Sequence, residues 1–298
     1  MKKNEHIRTS LLLWMFLLLT VPISFSGCED EDPVIYDFRP ISEDFMQTYV
    51  TCSALFFYVD QMAKSLNDSL SSNPDGSYQL RGGIVTADPA TPDSYPKTFV
   101  IDFGGTGTDD IVSGKITGTI SALYLSEGSV TTYGYENLII HRDSPAGTCS
   151  ITNMGISSGK ILFDFKVPHN TLIRDYESDS AYPVTLDGYQ QILWSESSDQ
   201  ITMPAGSFEG LTVKYDSLQF TAVVDAGYKL IKDADCSYIR DGIFDFRVRL
   251  NNINEQVGDG VVDFGYVNPM ECDDYVIAVV DGESNRTEFI YRMDWLEF

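Results

Sequence analysis

The sequence predicts a mainly β protein, either an antiparallel β-sandwich or a rolled meander, with one amphipathic helix near the N-terminus. Two observations support this fold class. Tyr, Phe, Thr, Val and Ile are abundant and are interrupted by Gly and Asp, a composition typical of strands joined by turns. After residue 77 no helical period persists, so strand-like runs follow one another without the crossover helices that a parallel sheet requires.

The first 27 residues have the order of a bacterial secretory signal. Lys2-Lys3 gives a positive start and residues 11–19 are an apolar run, which is too short to span a membrane. Phe25-Ser26-Gly27-Cys28 resembles the lipobox of bacterial lipoproteins, in which cleavage leaves the cysteine as the first residue, carrying diacylglycerol and an amide-linked acyl chain. We therefore expect residues 1–27 to be removed and Cys28 to be lipidated.

Residues 28–40 predict an acidic tether, because they contain two prolines and show no period. An acidic cluster directly after the lipidated cysteine resembles the signal that sends lipoproteins of Bacteroidetes-type bacteria to the outer face of the outer membrane. A solvated spacer is the alternative interpretation. The cluster consists of Glu29, Asp30, Glu31 and Asp32.

Residues 41–72 predict the helix. Ser42 can cap it, and Glu43 and Asp44 would lie in the first turn, where the helix dipole favours acids. Apolar residues from Phe45 onward recur every three or four positions, and Asn73-Pro74-Asp75-Gly76 ends the pattern. We expect this helix to pack on the sheet of its own domain, and a partner-binding helix is the alternative.

Residues 73–298 predict the antiparallel β domain. The Gly, Asp, Asn, Ser and Pro clusters divide it into short runs of strand-forming residues. These runs are 97–103, 114–123, 128–141, 148–153, 159–168, 183–194, 210–224, 237–250, 259–266, 274–281 and 286–295.

Two sequence echoes indicate a partial internal repeat in this domain. The segment 99–104, ending in Asp-Phe-Gly, recurs at 261–265. A cysteine followed by Phe-Asp-Phe-Lys/Arg-Val occurs at 149–167 and again at 236–248. The spacing between echoes differs, so they do not indicate a solenoid, which needs a fixed period.

The cysteines suggest one disulfide. If the strand ending near residue 250 forms a hairpin with the next one, Cys236 comes close to the start of the strand that Cys272 opens. Neighbouring strands lie about 4.8 Å apart and bridged Cα atoms lie within about 7 Å, so this pair can close. Two buried thiols are the alternative. Cys52 with Cys149 follows only by elimination.

A set of short motifs makes residues 95–283 similar to a widespread group of uncharacterised Bacteroidetes lipoproteins. The resemblance implies a β-rich, lipid-anchored envelope protein and supplies no activity. In that group a cysteine usually follows the first Asp-Phe-Gly, and Thr108 stands near that place here, which argues against a metal or disulfide role. The motifs are Tyr95-Pro96-Lys97-Thr98, Ile101-Asp102-Phe103-Gly104, Gly114-Lys115-Ile116, Gly147-Thr148, Thr152-Asn153-Met154-Gly155, Trp194, Cys236, and Asp263-Phe264-Gly265 to Cys272-Asp273.

No catalytic residue, cofactor or metal site is assigned from the sequence. After the leader only His141 and His169 remain, without zinc-ligand spacing. Calcium prefers several carboxylate oxygens, and two loops could supply them, although aspartates that form solvated turns are the alternative. These calcium candidates are Asp102, Asp109 and Asp110 in one loop and Asp263, Asp273 and Asp274 in the other.

The charge excludes one class of partner. The chain has 20 Lys and Arg against 44 Asp and Glu, a formal net charge of −24, so nucleic acid is not an expected partner. Exposed tryptophan could stack on sugars, but Trp194 and Trp295 lie in strand patterns where a core position is expected. We expect a surface-exposed outer-membrane lipoprotein that binds a glycan or a surface protein, or has a structural role. A glycoside hydrolase with paired carboxylates is the alternative.

Overall fold

The structure is a computed structural model, and it describes residues 36–104, 112–140, 143–174, 181–196, 198, 200–212, 218–233, 236, 239–265, 275–282 and 286–292. The described residues from Asp37 onward belong to one compact unit. Cys28 and the acidic cluster from Glu29 to Asp32 lie outside the described residues. Within the described part of the chain, no helix combines the length and the apolar character that crossing a membrane requires.

The described residues form one long helix and sixteen strands. The helix is α1 (Arg39–Ser72). The strands are β1 (Ser77–Leu80), β2 (Gly83–Asp88), β3 (Lys97–Asp102), β4 (Val112–Ile120), β5 (Val130–Ile140), β6 (Ser144–Ala146), β7 (Thr148–Ser157), β8 (Lys160–Arg174), β9 (Tyr182–Trp194), β10 (Gln200–Thr212), β11 (Leu218–Val224), β12 (Leu230–Asp233), β13 (Ile243–Leu250), β14 (Glu255–Asp263), β15 (Tyr275–Gly282) and β16 (Arg286–Arg292).

All sixteen strands belong to one antiparallel sheet, which confirms the mainly β fold with one helix. The order is β1-β2-β3-β4-β5-β7-β8-β9-β10-β11-β13-β14-β15-β16, with β6 beside β8 and β12 beside β10. The helix contacts β1 and β16 at the two edges and also β8 to β11 in the middle. The sheet therefore curves around the helix, which is consistent with the predicted antiparallel sandwich or rolled meander.

The helix is more deeply enclosed than an amphipathic pattern predicts. A helix lying on a flat sheet buries one stripe, whereas residues 44–46 and 48–52 of α1 are all buried. Its second half has one uncovered face, on which Gln61 and Asp68 are exposed. The amphipathic pattern is clearest in the second half, whereas only Glu43 and Gln47 are partly exposed between residues 41 and 52.

The start of the helix differs from the prediction. The N-cap residue is Phe38, and Pro40 occupies the first turn, where its missing N–H costs nothing. Ser42 therefore lies inside the helix, where its Oγ donates a 2.8 Å hydrogen bond to the carbonyl of Phe38. No acidic residue lies in the first turn. The end agrees with the prediction, because Asn73 is the C-cap.

Most predicted strands are present, with two kinds of difference. The run predicted at 210–224 is the end of β10 followed by β11, and the first half of β10 was not predicted. That half contains Pro204, and a proline argues against a strand, but it lies at a register shift between Thr202 and Ala205 that accommodates it. The short strands β1, β2, β6 and β12 also have no matching prediction.

The core is an aromatic cluster between the enclosed half of the helix and the sheet. Phe45 packs edge-on against Phe244 at 5.5 Å, and Tyr49 packs against the same ring at 4.9 Å. Phe246 also packs against Phe45, and Phe208 also packs against Tyr49. The alternating pattern of the second echo thus supplies the helix-facing side of β13.

Candidate functional site

A row of residues on the helix-facing side of the sheet crosses the ends of five strands. In the strand register Ile156 lies opposite Ile161, and Ile161 lies opposite Trp194. The pairing of β9 with β10 places Ile201 beside Trp194, and Ile201 lies opposite Lys232. Residues that lie directly opposite in neighbouring strands share one face of a sheet. The row is uncovered at one end, because Ile156 is 82% exposed.

The uncovered face of α1 lies next to this row. Phe57, Gln61, Lys64 and Asp68 recur at three and four residues, so they share one side of the helix. Phe57 and Lys64 are partly exposed, and Gln61 and Asp68 are exposed. We call these four residues the helix strip.

The ammonium group of Lys64 is surrounded by a carboxylate and aromatic rings. It lies 3.9 Å from the centroid of the Trp194 ring and 5.7 Å from that of Phe163. It also donates a 2.7 Å hydrogen bond to Asp60 Oδ2. Tyr124 donates a 2.6 Å hydrogen bond to Asp60 Oδ1. We call Asp60, Phe163 and Trp194, which contact the Lys64 ammonium, together with Tyr124, which supports Asp60 and Phe163, the Lys64 cage.

The walls of the Lys64 cage are fixed by packing. The rings of Tyr124 and Phe163 stack with centroids 5.2 Å apart and an angle of 17°. Asn153 donates a hydrogen bond to the carbonyl of Tyr124 at 3.3 Å. Burial, reinforced by the Asp60 carboxylate, raises the pKa of Tyr124 well above its ordinary value, so its phenol stays a neutral donor.

A second lysine packs on the helix strip. The ammonium of Lys232 lies 5.1 Å from the centroid of the Phe57 ring. It donates a hydrogen bond of 3.2 Å to the carbonyl of Asp233 and another to the carbonyl of Cys236. Two of the chain's few basic residues therefore lie beside aromatic rings at this end of the molecule.

The structure tests some of the cysteine predictions and leaves one untested. Cys236 is disulfide-bonded. Cys272 lies outside the described residues, so its pairing with Cys236 stays a prediction. Cys52 and Cys149 carry buried thiols, and the disulfide between them that elimination suggested is not formed. The hydroxyl of Tyr135 lies 3.3 Å from Cys149 Sγ.

The calcium candidates are turn residues where the structure describes them. Asp102 and Asp263 each accept a 2.9 Å hydrogen bond from a glycine N–H two residues later, so both Asp-Phe-Gly segments make the same turn. Asp102 also forms a 2.9 Å ion pair with Lys115. The described residues contain no group of three or more His, Cys, Asp or Glu side chains that could hold a metal ion. Asp109, Asp110, Asp273 and Asp274 lie outside the described residues.

One pair of carboxylates bears on the hydrolase alternative. Burial raises the pKa of Asp263, and the nearby Asp241 carboxylate raises it further, while the hydrogen bond from Gly265 opposes the shift. Asp263 lies opposite Ile243 in the sheet, and the neighbouring Phe244 points to the helix. Asp263 therefore lies on the other side of the sheet from the Lys64 cage.

The remaining aromatic and histidine candidates separate in the structure. The strand pattern predicted a core position for Trp194, and this prediction is wrong. Trp194 is partly exposed at the end of its strand. Trp295 and His141 lie outside the described residues. His169 lies in β8. Sequence reasoning did not select Asp60 or Lys64, although their four-residue spacing on a predicted helix was a usable signal.

Comparisons with protein-family models, curated proteins and solved structures found no match to this chain.

Proposed function

We propose that this chain is a lipid-anchored envelope protein of the outer membrane, exposed at the cell surface, that binds a glycan at the helix strip and the adjoining row of strand ends. The leader, Cys28 and the acidic residues after it support the address. Each buried CH₂ of an acyl chain contributes about 0.8 kcal/mol, so several chains on one cysteine anchor a protein stably.

The observation that supports a binding role is the position of Trp194. Its side chain is partly exposed at the end of β9, beside the helix strip, on which Gln61 and Asp68 are exposed, and a row that ends in the exposed Ile156. Pyranose rings present apolar C–H faces that pack on such surfaces, and Gln61 and Asp68 offer polar groups to hydroxyls. Contiguous exposed apolar surface rimmed by polar residues is typical of a binding site.

The candidate site lies far along the helix from the first helical residue. Lys64 follows the first helical residue by 25 positions, which is about 38 Å along the helix axis. The candidate site therefore lies in the C-terminal half of α1.

Binding to a glycan array tests the proposal. The purified full chain should bind a subset of glycans, and Trp194→Ala should lose that binding. Tyr189→Ala is the matched control, because Tyr189 is 40% exposed on the opposite face of the sheet. Binding that survives Trp194→Ala, or fails equally in the control, contradicts the proposed site.

A glycoside hydrolase is the second candidate, because Asp263 with its raised pKa next to Asp241 has the character of an acid beside a second carboxylate. A hydrolysis screen on the glycans that bind should then show turnover that Asp263→Asn abolishes. Absence of turnover with bound glycans excludes this alternative for those sugars.

A further inference from the structure

The Lys64 cage has the composition of a receptor for organic cations. Ammonium groups are recognised by aromatic faces within about 6 Å together with a carboxylate. Trp194 and Phe163 supply the faces, and Asp60 supplies the charge. At present the chain's own lysine fills the place that a ligand cation would take.

We propose that the Lys64 cage binds the protonated amine of a small ligand, such as an amino sugar, and that the Lys64 side chain leaves the cage when the ligand enters. This inference rests on the proposed function, since it names the chemical class of the glycan that the helix strip would take. The recognised feature is the ammonium group, which a simple alkylammonium ion shares.

Lys64 is the member of the site that a ligand can displace. Its side chain is 19% exposed and lies on the helix strip, so it can swing toward solvent by rotating its own bonds. Asp60 and Tyr124 are 7% and 2% exposed and are held by each other. An entering ammonium would restore the ion pair that Lys64 gives up, so the Asp60 carboxylate is never left without a positive partner.

The charges favour a cation over an anion. When Lys64 leaves, Asp60 remains inside the cage, and an anionic ligand would face it without compensation. The chain as a whole has a net charge of −24, which attracts cations and repels anions at long range. An uncharged sugar could pack on Trp194 but could not replace the Lys64 ion pair.

Calorimetric titration of the full chain tests the inference at constant ionic strength. Glucosamine should bind, and N-acetylglucosamine, which lacks the charge, should bind at least about tenfold more weakly, since a desolvated cation–π contact is worth about that factor. Methylammonium chloride separates the two sources of the amine: it should bind the cage, but more weakly than glucosamine if the sugar ring contributes.

Two variants of Lys64 remove the internal competitor. Lys64→Ala should bind methylammonium at least about tenfold more tightly than the natural chain, and Lys64→Gln should do the same if the alanine variant does not fold. Trp194→Leu should lose amine binding. Lys166→Ala is the matched control, because Lys166 pairs with Asp164 away from the cage and is 59% exposed.

Each outcome decides the inference. Equal binding of both sugars overturns it, because the ammonium group would then not be recognised. No amine binding by the natural chain, even when Lys64→Gln binds, also overturns it, because Lys64 would then close the site permanently. Selective binding of methylammonium without any glycan on the array keeps the cation site and removes the proposed glycan function. Selective glucosamine binding that Trp194→Leu abolishes supports both.

Discussion

The phenol of Tyr124 donates a 2.6 Å hydrogen bond to the carboxylate of Asp60, although 64 residues separate them in the chain. Asp60 belongs to the helix, and Tyr124 lies in the turn between β4 and β5. The other oxygen of the same carboxylate accepts from Lys64. A buried acid on the helix is thus satisfied by one neutral and one charged donor, and the turn is tied to the helix through it.

Replacing Tyr124 by phenylalanine should destabilise the fold by about 1–3 kcal/mol, because it leaves Asp60 Oδ1 buried without a donor. Urea unfolding of the two proteins measures the difference. Tyr189→Phe is the control and should change the free energy of unfolding by less than about 0.5 kcal/mol, since that side chain is on the surface. An equal effect of both substitutions would contradict the role given to the hydrogen bond.

Local patterns were sufficient to predict most of the sheet. The period-two alternation around Phe244 and Phe246 reports one buried face, and the turn at 251–254 joins β13 to β14 as the hairpin argument expects. The enclosure of the helix could not be predicted from local patterns. Met46 and Val50 are buried by parts of the sheet that the helical period does not identify. The first half of β10 was not predicted, because a proline argues against a strand, but a register shift accommodates Pro204 there.

The candidate site depends on contacts that the sequence does not encode locally. Lys64 and Trp194 meet through the curvature of the sheet, 130 positions apart, and a strand pattern places Trp194 in the core. The row from Ile156 to Lys232 exists only once the register of five strands is known. The paired spacing of Asp60 and Lys64 was the one local signal, and it is common on solvated helix faces.

Stability should fall steeply at alkaline pH. Burial raises the pKa of Tyr58 and of Tyr78 to about 12, against about 10 for an unfolded chain. Below about pH 10 both states keep these protons, and between about pH 10 and 12 the unfolded chain releases protons that the folded chain retains. The stabilisation is therefore present below pH 10 and is lost as the pH rises through the folded-state values.

Urea midpoints measured at intervals from about pH 9 to about pH 12 check this slope. The variant Tyr78→Phe should show a shallower fall, because it removes one of the phenols that titrate differently in the two states. Midpoints that stay constant across this window, with ionic strength held fixed, would show that the buried phenols are not linked to folding.

The cysteines should fall into two chemical classes. Cys52 and Cys149 are 4% and 1% exposed, so a thiol reagent should leave both unmodified in the native protein and modify both in denaturant without reductant. Cys236 should react only after reduction, because it is disulfide-bonded. Mass mapping of the modified peptides makes the assignment. A peptide joining Cys52 to Cys149 would contradict it, and a Cys236 peptide joined to any residue but Cys272 would contradict the predicted pairing.

The lipid anchor should depend on one thiol. Labelled palmitate should enter the natural chain in bacterial cells, and Cys28→Ser should abolish both the label and the recovery of the protein with membranes. Cys52→Ser is the matched control, since Cys52 is buried in the folded domain and should not affect acylation. Label that persists in Cys28→Ser would place the acyl chain elsewhere and remove the proposed anchor.

The acidic cluster should decide which side of the membrane carries the protein. Replacing Glu29, Asp30, Glu31 and Asp32 together by alanine leaves Cys28 in place, so palmitate labelling should be unchanged. If the cluster is an export signal, protease added to intact cells should digest the natural chain and spare the variant, because the variant stays on the inner side of the outer membrane. A cluster that is only a solvated spacer predicts equal digestion of both. The comparison isolates the signal from the anchor, since the two proteins differ only in four side chains of the tether and share the same folded domain.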